Sequence, residues 1–141
     1  MIAQRARLKR LQRLERVRAI ARQAAAVEAA EAEGALAQLE TLAERTRRLA
    51  EDYAARGQAP DGAALRQLAQ FAAGLREIHT RTSGDADRAR TYADGKLAAL
   101  GEAERRRSAV GDRAAAIERL LGRQAAVAVP GARRGFGTGL E

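Results

Sequence analysis

The chain of 141 residues has no cysteine, two prolines and only 3% aromatic residues. The lack of cysteine excludes disulfides, thiol catalysis and thiolate metal sites. Because a compact core needs bulky side chains to reach its packing density, the scarcity of aromatic residues argues against a globular domain. Proline breaks helices, and with only Pro60 and Pro130 present, long stretches are free of it. These absences favour long helices.

The sequence also lacks the features of membrane proteins and of most enzymes. No apolar run approaches the roughly 20 residues of a membrane-spanning helix, and the first five residues lack the apolar core of a signal peptide. The absence of cysteine leaves the compartment open, with the reducing cytosol as the default expectation. His79 is the only histidine, and we expect it at the rim of the helix interface. Ser83 and Ser108 are expected to lie without a neighbouring base. We expect no enzyme, no catalytic site, no metal site and no cofactor.

What is present is 31% charged residues and abundant alanine, leucine, glutamate and arginine, a composition typical of long helices and coiled coils. The helix breakers cluster in residues 57–62. There Gly57 suits the position after a helix end and Asp61 suits an N-cap. The sequence predicts an all-α, antiparallel two-helix coiled-coil hairpin over residues 1–127, with a helix at about 4–56, a turn at 57–62 and a helix at about 62–127. The Gly-rich residues 128–141 are predicted to form a flexible tail.

Apolar residues recur with heptad spacing along both helices. In the second helix a phase that starts at Leu68 holds for about sixty residues, as in a left-handed coiled coil. The first helix has two phases joined by a stutter near Glu31, one through Val17, Ile20, Ala24 and Val27 and one through Leu39, Leu42 and Leu49. Both phases are expected to lie on the seam. Folding the chain at residues 58–59 sets Leu42 against Leu75, and Gly34 against Ser83 and Gly84. The predicted seam residues are Leu39, Leu42, Leu49, Leu68, Phe71, Leu75, Ile78 and Val110.

The N-terminal residues 1–27 carry eight basic side chains and one acidic side chain. In this register Ile117, Leu120 and Leu121 extend past the first helix, so the open end of the hairpin offers apolar groups beside arginines. We interpret this end as a protein-binding tip. The predicted partner-binding residues are Leu8, Arg10, Leu11, Arg13, Leu14, Arg18, Ile117, Leu120, Leu121 and Arg123.

Two other readings of the basic segment stay open. One is a charged helix end without a partner, and the other is a surface that binds nucleic acid or an anionic membrane. No aromatic residues lie among the basic ones to stack on bases, which argues against nucleic acid.

Three stretches resemble the FliJ family, small coiled-coil proteins of the bacterial flagellar type III export apparatus. They are Leu8–Arg18, Leu36–Glu40 and Arg113–Arg123, and the similarity spans residues 5–125. The resemblance implies a non-enzymatic stalk that inserts into the hexameric export ATPase and contacts the export gate and substrate chaperones. It also implies a location in the cytoplasm or at the cytoplasmic face of the inner membrane, in a flagellar or an injectisome system.

Overall fold

The computed structural model describes residues 1–128, which form two helices, α1 (Ile2–Ala55) and α2 (Gly62–Ala128), packed against each other. The described residues contain no strand, and the predicted all-α two-helix hairpin is confirmed. The predicted flexible tail lies outside the described residues, apart from Ala128, which ends α2. Within residues 1–128 neither helix has a stretch long and apolar enough to cross a membrane.

The break between the helices follows from local chemistry. The carboxylate of Asp61 accepts a hydrogen bond from the backbone N–H of Ala64 at 2.7 Å, and its carbonyl accepts one from Leu65 at 3.1 Å. A side-chain acceptor at this position satisfies one of the free N–H groups of a helix start. The connection does not project from the helices. Ala59 and Pro60 line a shared groove with Leu68 and Phe71, so the chain runs back along the first turns of α2.

Close contacts divide the chain into two units, which we call the loop unit (residues 24–101) and the terminal unit (residues 1–23 with 102–128). The seam of the loop unit is built mainly from small residues, which let two helix backbones approach closely. Taken together with the half-buried residues between them, the buried residues of each helix recur in steps of three and four, the period of a coiled coil. The buried residues of the loop unit are Ala29, Ala32, Ala43, Thr46, Ala50, Ala72, Leu75, Thr82, Ala86 and Ala93.

This seam corrects half of the predicted one. Leu39 and Leu68 are half-buried, and Leu75 and Val110 are buried. Four other predicted seam residues are exposed, and in each case the next residue along the chain is shielded instead. Because alanine permits closer approach than leucine or phenylalanine, the helices pack on the alanine stripe and leave the bulkier stripe at its side. The displaced residues are Leu42, Leu49, Phe71 and Ile78.

The predicted register is also wrong. Three contacts fix the pairing in the loop unit: Tyr53 with Phe71, the carbonyl of Ala43 with His79, and Glu28 with Lys96. They displace α2 by about seven residues, or two helical turns, from the predicted alignment. The connecting residues 56–61 lie beside the first turns of α2. As a result, α1 first contacts α2 near Phe71 and not at the start of α2.

Two further expectations fail for the same reason. Gly34 is exposed, with no atom within 4 Å of an added Cβ, and in the observed register it does not lie opposite Gly84. The predicted stutter is absent from the loop unit. The shielded positions of α1 continue there in unbroken steps of three and four, from Ala29 through Ala32, Leu36 and Leu39 to Ala43.

The terminal unit has a different interface. Its buried residues, Val110, Ala114 and Ile117, all belong to α2, and residues 1–23 are at most half-buried. Two polar contacts cross between the helices here: the side-chain amide of Gln12 donates to Glu118 at 3.2 Å, and Arg22 lies 3.6 Å from Glu104. The half-buried residues of α1 in this unit are Gln4, Leu8, Leu11, Gln12, Glu15, Arg18, Ala19 and Arg22.

Candidate protein-interaction surface

The predicted partner-binding residues separate into two groups. Half of them face the other helix: Ile117 is buried, and Leu8, Leu11, Arg18 and Leu121 are half-buried. The expectation that the apolar residues at the end of α2 lie beyond any partner is therefore wrong for Ile117, because the shifted register returns α1 to it. The exposed group consists of Arg10, Arg13, Leu14, Leu120 and Arg123.

The exposed part of the terminal unit contains an apolar stripe whose residues were predicted to lie on the seam. Val17 is 59% exposed and Ile20 is 70% exposed, and Leu14 is also exposed. The spacing of Arg10, Arg13, Leu14, Val17 and Ile20 is that of one helix face. This face points away from the half-buried positions Leu11, Glu15 and Arg18. We call these five residues the outer face of α1.

The electrostatics of the outer face follow from the composition of its unit. The terminal unit holds fourteen basic and five acidic side chains, a net charge of +9, whereas the loop unit holds ten basic and twelve acidic ones, a net charge of −2. A concentration of one sign on a small unit attracts ligands of the opposite sign and speeds their association. The outer face therefore combines solvent-exposed aliphatic groups with a strongly positive surrounding.

Two polar side-chain atoms of α1 in the terminal unit are shielded from solvent without a hydrogen-bond partner in the described residues. They are the Nε of Arg18 and the Oε1 of Gln4. A desolvated polar atom without a partner costs roughly 1–3 kcal/mol. The seam of the terminal unit is thus weakened on its α1 side, while the apolar groups that could have filled it point outward.

His79 does not occupy the expected rim position. It is half-buried, and because a backbone carbonyl can only accept, the Nδ1 of His79 donates to the carbonyl of Ala43 at 2.9 Å. The hydroxyl of Ser83 lies 3.5 Å from its Nε2, so Ser83 does have a base nearby, against expectation. The hydroxyl of buried Thr46 is satisfied within α1 by the Ala43 carbonyl at 2.9 Å. This polar layer joins the helices at one level of the alanine seam.

Ion pairs lie on the surface of the loop unit. Arg47 bridges Glu44 and Glu51, each at 2.6 Å, and Arg48 also contacts Glu44 at 3.0 Å. The hydrogen bonds from Arg47, with a smaller contribution from Arg48, lower the pKa of Glu44 to about 2. The ion pair with Glu40 raises the pKa of Arg90. These groups hold charge at the surface, and residues 1–128 contain no cluster of side chains suited to a metal ion.

The outer face could have been found from the sequence by one signal. The residues Val17, Ile20, Ala24 and Val27 step along α1 in a phase different from that of Leu39 and its neighbours. A straight helix pair has one seam, so two phases on one helix indicate one interface and one exposed stripe. Comparisons with protein-family models, curated proteins and solved structures give no significant match to this chain.

Proposed function

We propose that the chain is a protein-interaction component of a flagellar or type III export apparatus, and that its outer face of α1 binds an acidic, partly apolar surface of a partner protein. The resemblance to the FliJ family supplies the system, with the export ATPase, export gate and chaperones as expected partners. The observation that carries the binding mode is the exposure of Val17 and Ile20 beside Arg10 and Arg13.

Physical chemistry supports this use of the face. Covering an aliphatic side chain that is more than half exposed contributes on the order of 1–2 kcal/mol, so Val17 and Ile20 together can supply a substantial part of a binding free energy. The arginines beside them can form charge-assisted hydrogen bonds with carboxylates, which fix the orientation of the partner. An apolar centre with a charged rim is the usual anatomy of a protein interface.

The net charge of +9 on the terminal unit favours one alternative function, which is binding of nucleic acid or of an anionic membrane surface through the same basic segment. An exposed apolar stripe flanked by arginines also suits an interfacial membrane helix. Salt separates the two: a polyanion complex weakens steeply as salt rises, because its affinity comes from counterion release. A complex held by apolar contacts loses far less.

The test measures binding of the full chain to three probes by biolayer interferometry, at about 0.15 M and 0.5 M salt, on either side of strong screening. The probes are the purified export ATPase of the same organism, a DNA duplex, and vesicles containing anionic lipid. Substituting Val17→Ser with Ile20→Ser should weaken ATPase binding about tenfold or more, because two apolar contacts are lost. Helicity and thermal melting should stay nearly unchanged, since both side chains are exposed.

Leu97→Ser is the matched control, because it removes an exposed aliphatic side chain from the loop unit and should leave ATPase binding intact. ATPase affinity that is equal in the double variant and the wild type would reject the outer face as the binding surface. Salt-sensitive binding to DNA or vesicles, with no ATPase binding, would instead favour the alternative.

A further inference from the structure

The loop unit has two unlike flanks beside its alanine seam. On one flank an ion pair between Glu40 and Arg90 crosses the helix interface. Each of these residues follows a seam position directly, Leu39 in α1 and Ala89 in α2. The other flank is occupied by residues that directly precede seam positions, and five of these are large and apolar. Its members are Leu42, Leu49, Phe71, Ile78 and Tyr92, which we call the apolar flank.

The members of the apolar flank lie on one side of the loop unit, interrupted between Ile78 and Tyr92 by Asp85, which pairs with Arg88. In an antiparallel helix pair, residues that precede the seam on both helices lie on the same side, just as the residues of the Glu40–Arg90 pair share the opposite side. Phe71 and Tyr92 each contact a seam residue: Tyr53 meets Phe71 edge-on at 4.7 Å between ring centroids, and Lys96, which pairs with Glu28 at 3.0 Å, reaches over the ring of Tyr92 at 5.3 Å.

The exposure of this flank is large for an ordinary surface. Leu42 is 47%, Leu49 45%, Phe71 51%, Ile78 47% and Tyr92 61% exposed. Side chains of this size present on the order of 200 Å² each when fully exposed, so together they offer roughly 500 Å² of mainly apolar area. A standard interface takes about 800 Å² from each partner. These five residues supply more than half of one, and neighbouring alanines and aliphatic stems of charged residues add to it.

The spacing and the charge indicate what covers the flank. Leu42 and Leu49 are seven residues apart, as are Phe71 and Ile78, so the matching surface is a helix pair with the same heptad period. A second copy of the chain supplies that surface in an isologous dimer. The loop unit, with ten basic and twelve acidic side chains, can approach itself without the repulsion that a charge of +9 would impose on the terminal unit.

We propose that the apolar flank is a homodimer interface, in which two loop units pack into a four-helix bundle. The interface is separate from the outer face of α1, and it does not depend on the identity of the export partner. This surface was missed from the sequence because four of its five residues, Leu42, Leu49, Phe71 and Ile78, were predicted as seam residues of the hairpin.

Sedimentation equilibrium of the full chain between about 1 and 200 μM tests the proposal, a range that brackets micromolar association. The wild type should double its mass with rising concentration. Leu42→Glu with Ile78→Glu should weaken dimerisation at least about tenfold, because the interface would then bury charge. The milder pair Leu42→Ala with Ile78→Ala should weaken it in the same direction without adding charge. Circular dichroism at low concentration checks that each variant remains helical.

Leu97→Glu is the matched control: it places the same charge at an exposed leucine that directly follows the shielded position Lys96, on the flank of the Glu40–Arg90 pair. It should dimerise like the wild type. Raising the salt should strengthen the dimer modestly by screening the like net charges. A chain that stays monomeric throughout the range overturns the proposal, and so does a dimer that survives both flank pairs or that is lost only in the Val17→Ser and Ile20→Ser variant.

Discussion

The loop unit and the terminal unit use the same two helices in opposite ways. In the loop unit buried residues come from both helices and are mostly alanine, while the larger apolar groups lie on an exposed flank. In the terminal unit only α2 contributes buried residues, and α1 faces it with Glu15, Arg18 and Arg22 among its half-buried positions. The net charges, −2 and +9, differ as sharply.

This difference between the two units shows that the length of a helix does not determine the strength of its interface with the other helix. In the loop unit, buried residues from both helices favour the paired state, and the buried hydroxyl of Thr46 is hydrogen-bonded. In the terminal unit, desolvated polar atoms and like charges oppose pairing, although the helix formers are the same. Local opening follows the least stable contacts of a structure, so we expect the terminal unit to open first and the loop unit to hold the helices together.

The largest expected effect comes from breaking the seam of the loop unit. Leu75→Ala should lower the free energy of unfolding by about 2–4 kcal/mol, because Leu75 is buried and its loss leaves a cavity between closely packed helices. Urea unfolding followed by circular dichroism measures the change. Leu97→Ala removes the same atoms from an exposed site and should cost less than about 1 kcal/mol. Equal losses for the two variants would show that the seam lies elsewhere.

A second substitution should bring the stability of the terminal unit closer to that of the loop unit. Arg18→Leu replaces a side chain whose Nε is shielded without a partner, so it should stabilise the terminal unit by roughly 1–2 kcal/mol. Amide hydrogen exchange should slow in residues 8–22 and stay unchanged in residues 29–50. Arg16→Leu, at an exposed neighbouring position, removes the same charge without filling the seam. If both variants slow exchange equally, net repulsion alone explains the weakness of the terminal unit.

The smallest effect concerns an ion-pair cluster on the surface of the loop unit. Hydrogen bonds from Arg47 lower the folded-state pKa of Glu44 from 4.5 to about 2. A carboxyl group with a lowered pKa stabilises the folded state above its unfolded pKa, and this contribution is lost as the pH falls from about 4.5 through about 2. Glu44→Gln should therefore flatten the pH dependence of the urea midpoint in this range. Glu33 has no ion pair in the described residues, so Glu33→Gln should leave the pH dependence of the urea midpoint unchanged. Identical curves for the two variants would contradict the role of Arg47.

The architecture was predictable from the sequence because it depends on local chemistry. Helix formers, the breakers from Gly57 to Gly62 and the capping carboxylate of Asp61 act over a few residues. The seam was predictable only in part. On α2 the series Leu68, Leu75 and Thr82 is correct, but the neighbouring series is not. The sequence prediction placed the bulkier Phe71 on the seam. In the structure Ala72 is buried there instead, because close approach of the two backbones favours the smaller side chain.

The register could not be read from the pattern, because two alignments satisfy it. Pairing Leu42 with Leu75 matches apolar with apolar as well as the observed alignment does. The choice depends on the path of the connection, which lies along α2 and delays the first contact until Tyr53 reaches Phe71. The outer face was missed for a related reason, since Val17 and Ile20 were assigned to the seam once a single pairing had been assumed.

The folded-back connection has a consequence for how this sequence can change over evolutionary time. A projecting loop tolerates added residues at little thermodynamic cost, but here Ala59 and Pro60 share a groove with Leu68 and Phe71. An insertion of one residue would lift them from that groove, and a deletion would pull Tyr53 out of its aromatic contact. The length of the segment between Ala55 and Gly62 is therefore under tighter constraint than its composition, and substitutions should outnumber insertions there.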